Sequence, residues 1–225
     1  MSTPEAPRLA GLVLAAGAGR RMGGPKALLT TASGETWVRR AARMLRDAGC
    51  DPVLVTVGAA ADDVVAALDS DVTVVRVPDW EEGLGAGVRA GLARIDPEAS
   101  DAVVVVPVDV LTTAAADVTA VVDAVVVAGA SGQPPAAALR HGLGRALHDG
   151  APGHPVVIGA ERVAEAIAQA RGDAGPRALL AGAVGVEIGP RPDLDTPADV
   201  AAAADAPGGH GPRGALGWRG REEDG

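Results

Sequence analysis

Residues 101–109 read DAVVVVPVD, an apolar run with an aspartate at each end. Four consecutive valines leave no polar face, so a strand here must be covered on both sides. β-branched side chains favour extended backbone. A strand covered twice belongs in the middle of a parallel sheet with helices packed above and below. This run is read as the central strand.

The rest of the chain alternates to match. RLAGLVLA (8–15), DPVLVTVG (51–58), VTVVRV (72–77) and GVEIG (185–189) read as strands. GETWVRRAARMLRDAG (34–49) reads as a helix: Trp37, Ala41, Met44, Leu45 and Ala48 follow helical spacing and Gly49 ends it. ADDVVAALD (61–69), GAGVRAGLARI (85–95), AAADVTAVVDAVV (114–126) and AERVAEAIAQARG (160–172) read as further helices. PPAAALR (134–140) and HPVVIG (154–159) read as two strands joined by a loop, a small β excursion over 134–159 that could form a lobe. PRALLAGA (176–183) reads as a short helical piece. TPADVAAAADA (196–206) reads as a helix with Thr196 as N-cap and Pro197 at its first position. The expectation is a three-layer α/β/α sandwich around a mostly parallel sheet, one domain over 1–206. Residues 207–225, rich in Gly, Pro and charge, read as a disordered tail. Ligands of such sheets bind outside the carboxyl ends of the strands.

Composition narrows this further. The 225 residues contain no Phe and no Tyr, so the core must be built from Ala, Val and Leu with close helix–sheet contact. The formal net charge of −9 and the lack of a basic tract speak against nucleic acid as a partner. No stretch is apolar and long enough to span a membrane, and the N-terminus lacks the pattern of a signal peptide. The single cysteine, Cys50, cannot pair internally, which fits a reducing compartment. The expected location is cytoplasmic.

Any polyanionic ligand of so acidic a chain must meet a local positive cluster. One follows the first strand: LVLAAGAGRRMGGPK (12–26) carries Gly17, Gly19, Gly23 and Gly24, then Arg20, Arg21 and Lys26. Of the 20 Lys and Arg residues, Lys26 is the only lysine. Glycines let backbone approach a ligand, and successive N–H groups make an anion cradle. The stretch ends without G-K-[ST], so it is not a P-loop, and its third glycine comes one place late for G-x-G-x-x-G. A flexible basic turn is the competing reading. Asp109 closes the central run, and Asp195 precedes the 196–206 helix. From position alone each is equally well an ordinary acid capping a turn.

L-A-A-G-x-G-x-R-M-G-x-x-K, Leu14 to Lys26, resembles the signature of the MobA-like nucleotidyltransferases. The resemblance implies a Rossmann-like fold, Mg²⁺, and transfer of a nucleotidyl group from an NTP to a phosphate-bearing acceptor with release of pyrophosphate. It implies that Leu14, Ala15, Ala16, Gly17, Gly19, Arg21, Lys26 and Gly83 bind the nucleotide. Arg21, Lys26 and Asp109 would be catalytic, and Asp109 and Asp195 would hold the metal. Asp195 lies in LDTPAD, close to the family's D-T-P-x-D, whereas Asp109 lies in DVL where the family has D-x-P. Leu-Ala-Ala-Gly at 14–17 is similar to the pyrimidine-using members, which favours CTP.

PDWEEGLGAGVRAGL (78–92) matches the family at Trp80, Gly83, Arg89 and Gly91, with Gly85 and Gly87 replacing frequent serines. Trp80 is equally well a packing anchor. PGHPVVIG (152–159) and RGDAGPRALL (171–180) are similar to stretches of molybdenum cofactor cytidylyltransferases. They imply His154 and Arg177 on the acceptor side, with Asp173 either helping there or pairing with Arg177 at i,i+4 spacing. Molybdopterin is the acceptor implied, and a molybdoenzyme or its chaperone a possible protein partner. A sugar- or polyol-phosphate acceptor, or a non-catalytic nucleotide-binding role, stays open.

Overall fold

A computed structural model describes residues 6–31, 33–129 and 132–189. The expected helix at 196–206, the tail at 207–225 and Asp195 lie outside the described residues. Seven strands form one sheet: β1 (Leu9–Leu14), β2 (Cys50–Val57), β3 (Thr73–Arg76), β4 (Ala102–Pro107), β5 (Leu143–His148), β6 (Ala151–Gly159) and β7 (Val184–Glu187). Their order is β3-β2-β1-β4-β6-β5-β7. β1 pairs in parallel with both β2 and β4, and β6 alone runs antiparallel to its neighbours.

Among the described residues six α-helices cover the sheet: α1 (Trp37–Asp47), α2 (Ala61–Ala66), α3 (Leu84–Leu92), α4 (Ala115–Gly129), α5 (Pro135–His141) and α6 (Val163–Gln169). Strand side chains alternate between two cores. Val13, Val55, Val104 and Val106 face Trp37, Leu45, Val118 and Val121 of α1 and α4. Leu12, Leu54, Val103 and Val105 face Val88, Leu92 and Ala166 of α3 and α6. That double covering is why β4 reads as unbroken valine. Without Phe or Tyr the layers close by approach instead of bulk. A Cβ at Gly91 of α3 would come within 2.5 Å of the Leu12 side chain on β1. Trp37, fully buried, is the largest side chain in the interior.

The stretch 134–159 differs from the expectation. Residues 134–140 are not a strand: Pro135 opens α5, the following alanines favour helix, and Gly142 caps its end. The strand partner is instead LGRALH, β5, inside the stretch that the sequence pattern reads as a connecting loop. Asp149 and Gly150 join β5 to β6, both at positive φ (51° and 76°), as a two-residue hairpin turn requires. Nor do these strands make a separate lobe. β6 pairs with β4, Val103 to Ile158 and Val105 to Val156, so the hairpin extends the main sheet.

Candidate active site

β1 and β4 are neighbours in register, with Leu14 beside Pro107. The chain turns away to β2 on one side and to β6 on the other. Their carboxyl ends therefore flank the point where the sheet order reverses, the usual ligand crevice of open α/β sheets. A cavity of about 370 Å³ lies there.

The glycine-rich loop forms one wall. Ala15 leaves β1 held by Thr56, whose backbone carbonyl and Oγ1 both accept its N–H at 3.2 Å. Gly19 sits in the left-handed region (φ 59°), and its carbonyl accepts Met22 N–H at 2.8 Å and Gly24 N–H at 3.3 Å. A Cβ at Gly19 would overlap the Gly24 carbonyl oxygen, so the loop doubles back on glycine alone. Buried Met22 and Ala27 anchor it from below. Leu14, Ala15, Ala16, Gly17, Gly19, Lys26 and Asp109 all line the cavity, as does Gly83 across it. Arg20 lines it, whereas Arg21 does not.

Lys26 and Asp109 meet on the floor. Lys26 Nζ donates to Asp109 Oδ2 at 2.7 Å, and the two side chains are 15% and 26% exposed. Asp109 lies in the turn just beyond β4. Leu111, where the family has proline, donates its N–H to the Asp109 carbonyl at 2.9 Å, a bond proline cannot make. Arg40 of α1 fastens the same turn, donating to the Leu111 carbonyl oxygen from Nε (3.1 Å) and Nη2 (2.7 Å).

The opposite wall is the entry to α3. Trp80 lines the cavity and packs on the small cluster of Ala16, Val77 and Ala86, so it anchors and lines at once. Arg89 does not face the cavity. Its guanidinium grips Glu82, adds Asp79 at 3.3 Å, and donates to the Ala170 carbonyl at 3.1 Å. Glu82 also accepts Gly172 N–H at 3.1 Å. Hydrogen bonds from Arg89 first, then Gly172, hold the Glu82 carboxyl down to about 2. This clamp presses the turn at 171–175 against α3. Gly85 N–H donates to the Gly172 carbonyl at 2.7 Å, and a Cβ at Gly85 would come within 2.7 Å of the Arg171 backbone. Serine is thus barred at 85, while at Gly87 a Cβ would find its nearest neighbour, Thr56 Oγ1, at 3.7 Å.

The turn brings Asp173 to the cavity wall beside Gly83. Asp173 and Arg177 do not form the i,i+4 pair: residues 171–177 are a turn, not a helix, and Arg177 lines a second cavity of about 580 Å³. His154 lines that second cavity too. Continuing the β4–β6 register places His154 beside Pro107, next to the Asp109 turn. Burial pushes the His154 imidazole down to about 4, against the opposing charge of Asp109. Leu14 and Leu84 line both cavities and form their shared wall.

Among the described residues, no three His, Cys, Asp or Glu side chains cluster to hold a metal by themselves. The donor set still fits a divalent cation shared with substrate. Asp109 already holds a cation, the Lys26 ammonium, at the cavity floor, and Mg²⁺-type ions bind through one or two carboxylates plus substrate phosphates. Sequence reasoning had Arg20 only as part of the basic cluster, and it missed Thr56 of the first cavity and Arg145 of the second. Thr56 carried a faint signal as the one hydroxyl in the apolar run VLVTV.

Comparison with known proteins decides the family. The model of the MobA-like NTP transferase domain matches residues 11–188. The chain belongs to that family. It shares the Rossmann-like architecture of its structural neighbours. Rv0371c from Mycobacterium tuberculosis is 26% identical, with 90% of this chain and 100% of that one covered and a TM-score of 0.70. The structure of Rv0371c in complex with manganese aligns at 25% identity, covering 87% and 97%, with a TM-score of 0.65. Among curated proteins, nicotine blue oxidoreductase from Paenarthrobacter nicotinovorans is 40% identical over 93 residues. That match spans 40% of this chain and 45% of that protein, so this chain covers about half the length of that relative. No helix among the described residues is long and apolar enough to cross a membrane.

Proposed function

We propose that this family member is a cytidylyltransferase that moves CMP from CTP to the phosphate of a small acceptor, molybdopterin, releasing pyrophosphate with the help of Mg²⁺. The observation that carries the reading is the Lys26–Asp109 contact at 2.7 Å in a cavity walled by the glycine-rich loop. A cation-binding carboxylate beside a lysine and an anion cradle is what in-line phosphoryl chemistry needs.

In this reading the loop backbone from Ala15 to Gly19 and the cations Arg20 and Lys26, which line the cavity, hold the triphosphate. Asp109, with Asp195, would hold Mg²⁺, which supplies charge neutralisation on phosphate oxygens when bound. Lys26 leaves Asp109 for the triphosphate and follows the charge onto the departing pyrophosphate. Its ammonium is a compact point charge on a flexible stem, suited to a crowded site. The acceptor phosphate oxygen attacks the α-phosphorus from the His154 and Arg177 side. His154, neutral near pH 7, orients without adding charge. No protein nucleophile takes part: Cys50 is buried on β2 and burial pushes its thiol up to about 12.

The structure of Rv0371c in complex with manganese supports the use of a divalent ion. The Leu-Ala-Ala-Gly stretch supports the pyrimidine. A sugar- or polyol-phosphate acceptor is the second reading, favoured by Leu111 for proline and by Gly85 and Gly87 for serine. Calorimetry with the four NTPs and Mg²⁺ tests the base: CTP binding tightest is expected, and a GTP preference overturns the pyrimidine assignment. Mass spectrometry of products from an acceptor panel separates molybdopterin from sugar and polyol phosphates. Because one relative bears the name of an oxidoreductase, the assay includes NADH and NADPH. Their oxidation without pyrophosphate release contradicts the transfer reading.

A further inference from the structure

The second cavity is unlike the rest of the molecule. In a chain of net charge −9, its lining holds two guanidinium groups, Arg145 and Arg177, and no carboxylate. The remaining surface is mostly aliphatic, including Val88, Val105, Val156 and Ile158. Arg145 stands on β5 directly across from Val156 of β6. Among the described residues its side chain makes no hydrogen bond and no ion pair, and its Nε is shut off from solvent without a partner. Burial lowers the pKa of the guanidinium. A half-buried charge with an unsatisfied donor is strongly unfavourable in a free protein unless a ligand completes it. The other internal arginines show the contrast. Arg40 is satisfied by the Leu111 carbonyl, and Arg140 by Asp101, Glu161 and backbone carbonyls.

We propose that Arg145 binds the phosphate of the acceptor, a phosphomonoester whose body rests against the aliphatic walls of this cavity. The inference rests on the transfer reading above and adds to it a residue and a ligand class. A guanidinium fork matches a carboxylate or a phosphate, and the transfer reading calls for the phosphate. His154 lines the same cavity as Arg145 and, by the β4–β6 register, sits beside Pro107, two residues before Asp109. A phosphate on Arg145 is thereby held in the cavity that borders the Asp109 turn. The shared wall of Leu14 and Leu84 keeps the acceptor body apart from the nucleotide.

The test uses 1-naphthyl phosphate, 1-naphthol and inorganic phosphate as calorimetric probes of the full chain, with CTP as control. The unaltered protein should bind 1-naphthyl phosphate at least tenfold more tightly than either 1-naphthol or inorganic phosphate. Arg145→Met should lose that tenfold, keep 1-naphthol and CTP binding, and melt at the same or a higher temperature, since an unpaired charge is gone. Arg145→Lys should recover part of the loss. Equal binding of 1-naphthyl phosphate and 1-naphthol by the unaltered protein overturns the proposal, whatever the variants do. So does unchanged phosphate affinity in Arg145→Met, or a parallel loss of CTP, which would put Arg145 on the nucleotide side. If the phosphomonoester site behaves as expected but no NTP releases pyrophosphate, the transfer reading fails and the anion site stands.

Discussion

At the scale of single residues, Lys26 pairs with Asp109 in the structure and, in the proposed reaction, passes to the triphosphate. Lys26→Ala should lower kcat/KM by about 10²-fold or more, the range seen when one preorganised donor to a developing anion is removed. Lys26→Arg should restore only part of this, because a wide fork replaces a point charge. Steady-state pyrophosphate release checks both. Thr56 works from behind, holding Ala15 N–H and donating to the Val13 carbonyl at 3.3 Å. Thr56→Val should destabilise by ~1 kcal/mol, the low end for a buried hydrogen bond, since Ala15 N–H keeps the Thr56 carbonyl. Urea denaturation gives that number, and the KM for NTP should rise with kcat nearly unchanged. Lys26 and Asp109 could be singled out in the sequence, Lys26 as the only lysine among 20 basic residues and Asp109 as the charge that closes an apolar run. Arg145 could not, because its significance lies in what fails to surround it across the β5–β6 register.

At the scale of elements, the entry to α3 shows how the site is assembled from backbone contacts. Gly85 and Gly87 look alike in the sequence, yet only the first is jammed against another segment. Gly85→Ser should displace the Arg171 turn and cost roughly 1–3 kcal/mol, the usual range for overpacking. Gly87→Ser should fold normally and narrow the nucleotide cavity. Thermal melts of the two variants, run together, check the contrast. The alternation of strand and helix was legible from 8 to 126 because each element there has its own clean period. It failed at 134–148. PPAAALR is short and apolar, periodicity cannot tell strand from helix over so few residues, and helix propensity with a leading proline decided it. The Asp149–Gly150 turn was the overlooked signal for the hairpin that followed.

At the scale of the whole molecule, two cavities share a wall at the carboxyl edge of one sheet, and titration at their junction reaches the fold. His154 is held neutral well below the ordinary histidine value of 6.5, so the unfolded chain takes up a proton that the folded chain refuses. Its contribution to stability is therefore present above pH 6.5 and is lost as pH falls toward 4. Urea denaturation should show wild type weakening over that window, with a shallower fall in His154→Gln. An equal slope in both would remove His154 from the account. The central claim is that transfer happens where the loops after β1 and β4 meet, on Asp109. The direct measurement is pyrophosphate release from CTP and Mg²⁺, with and without molybdopterin, by wild type and by Asp109→Asn. Release that needs the acceptor and falls by about 10²-fold or more in the variant is the predicted result. Undiminished release by Asp109→Asn would contradict it.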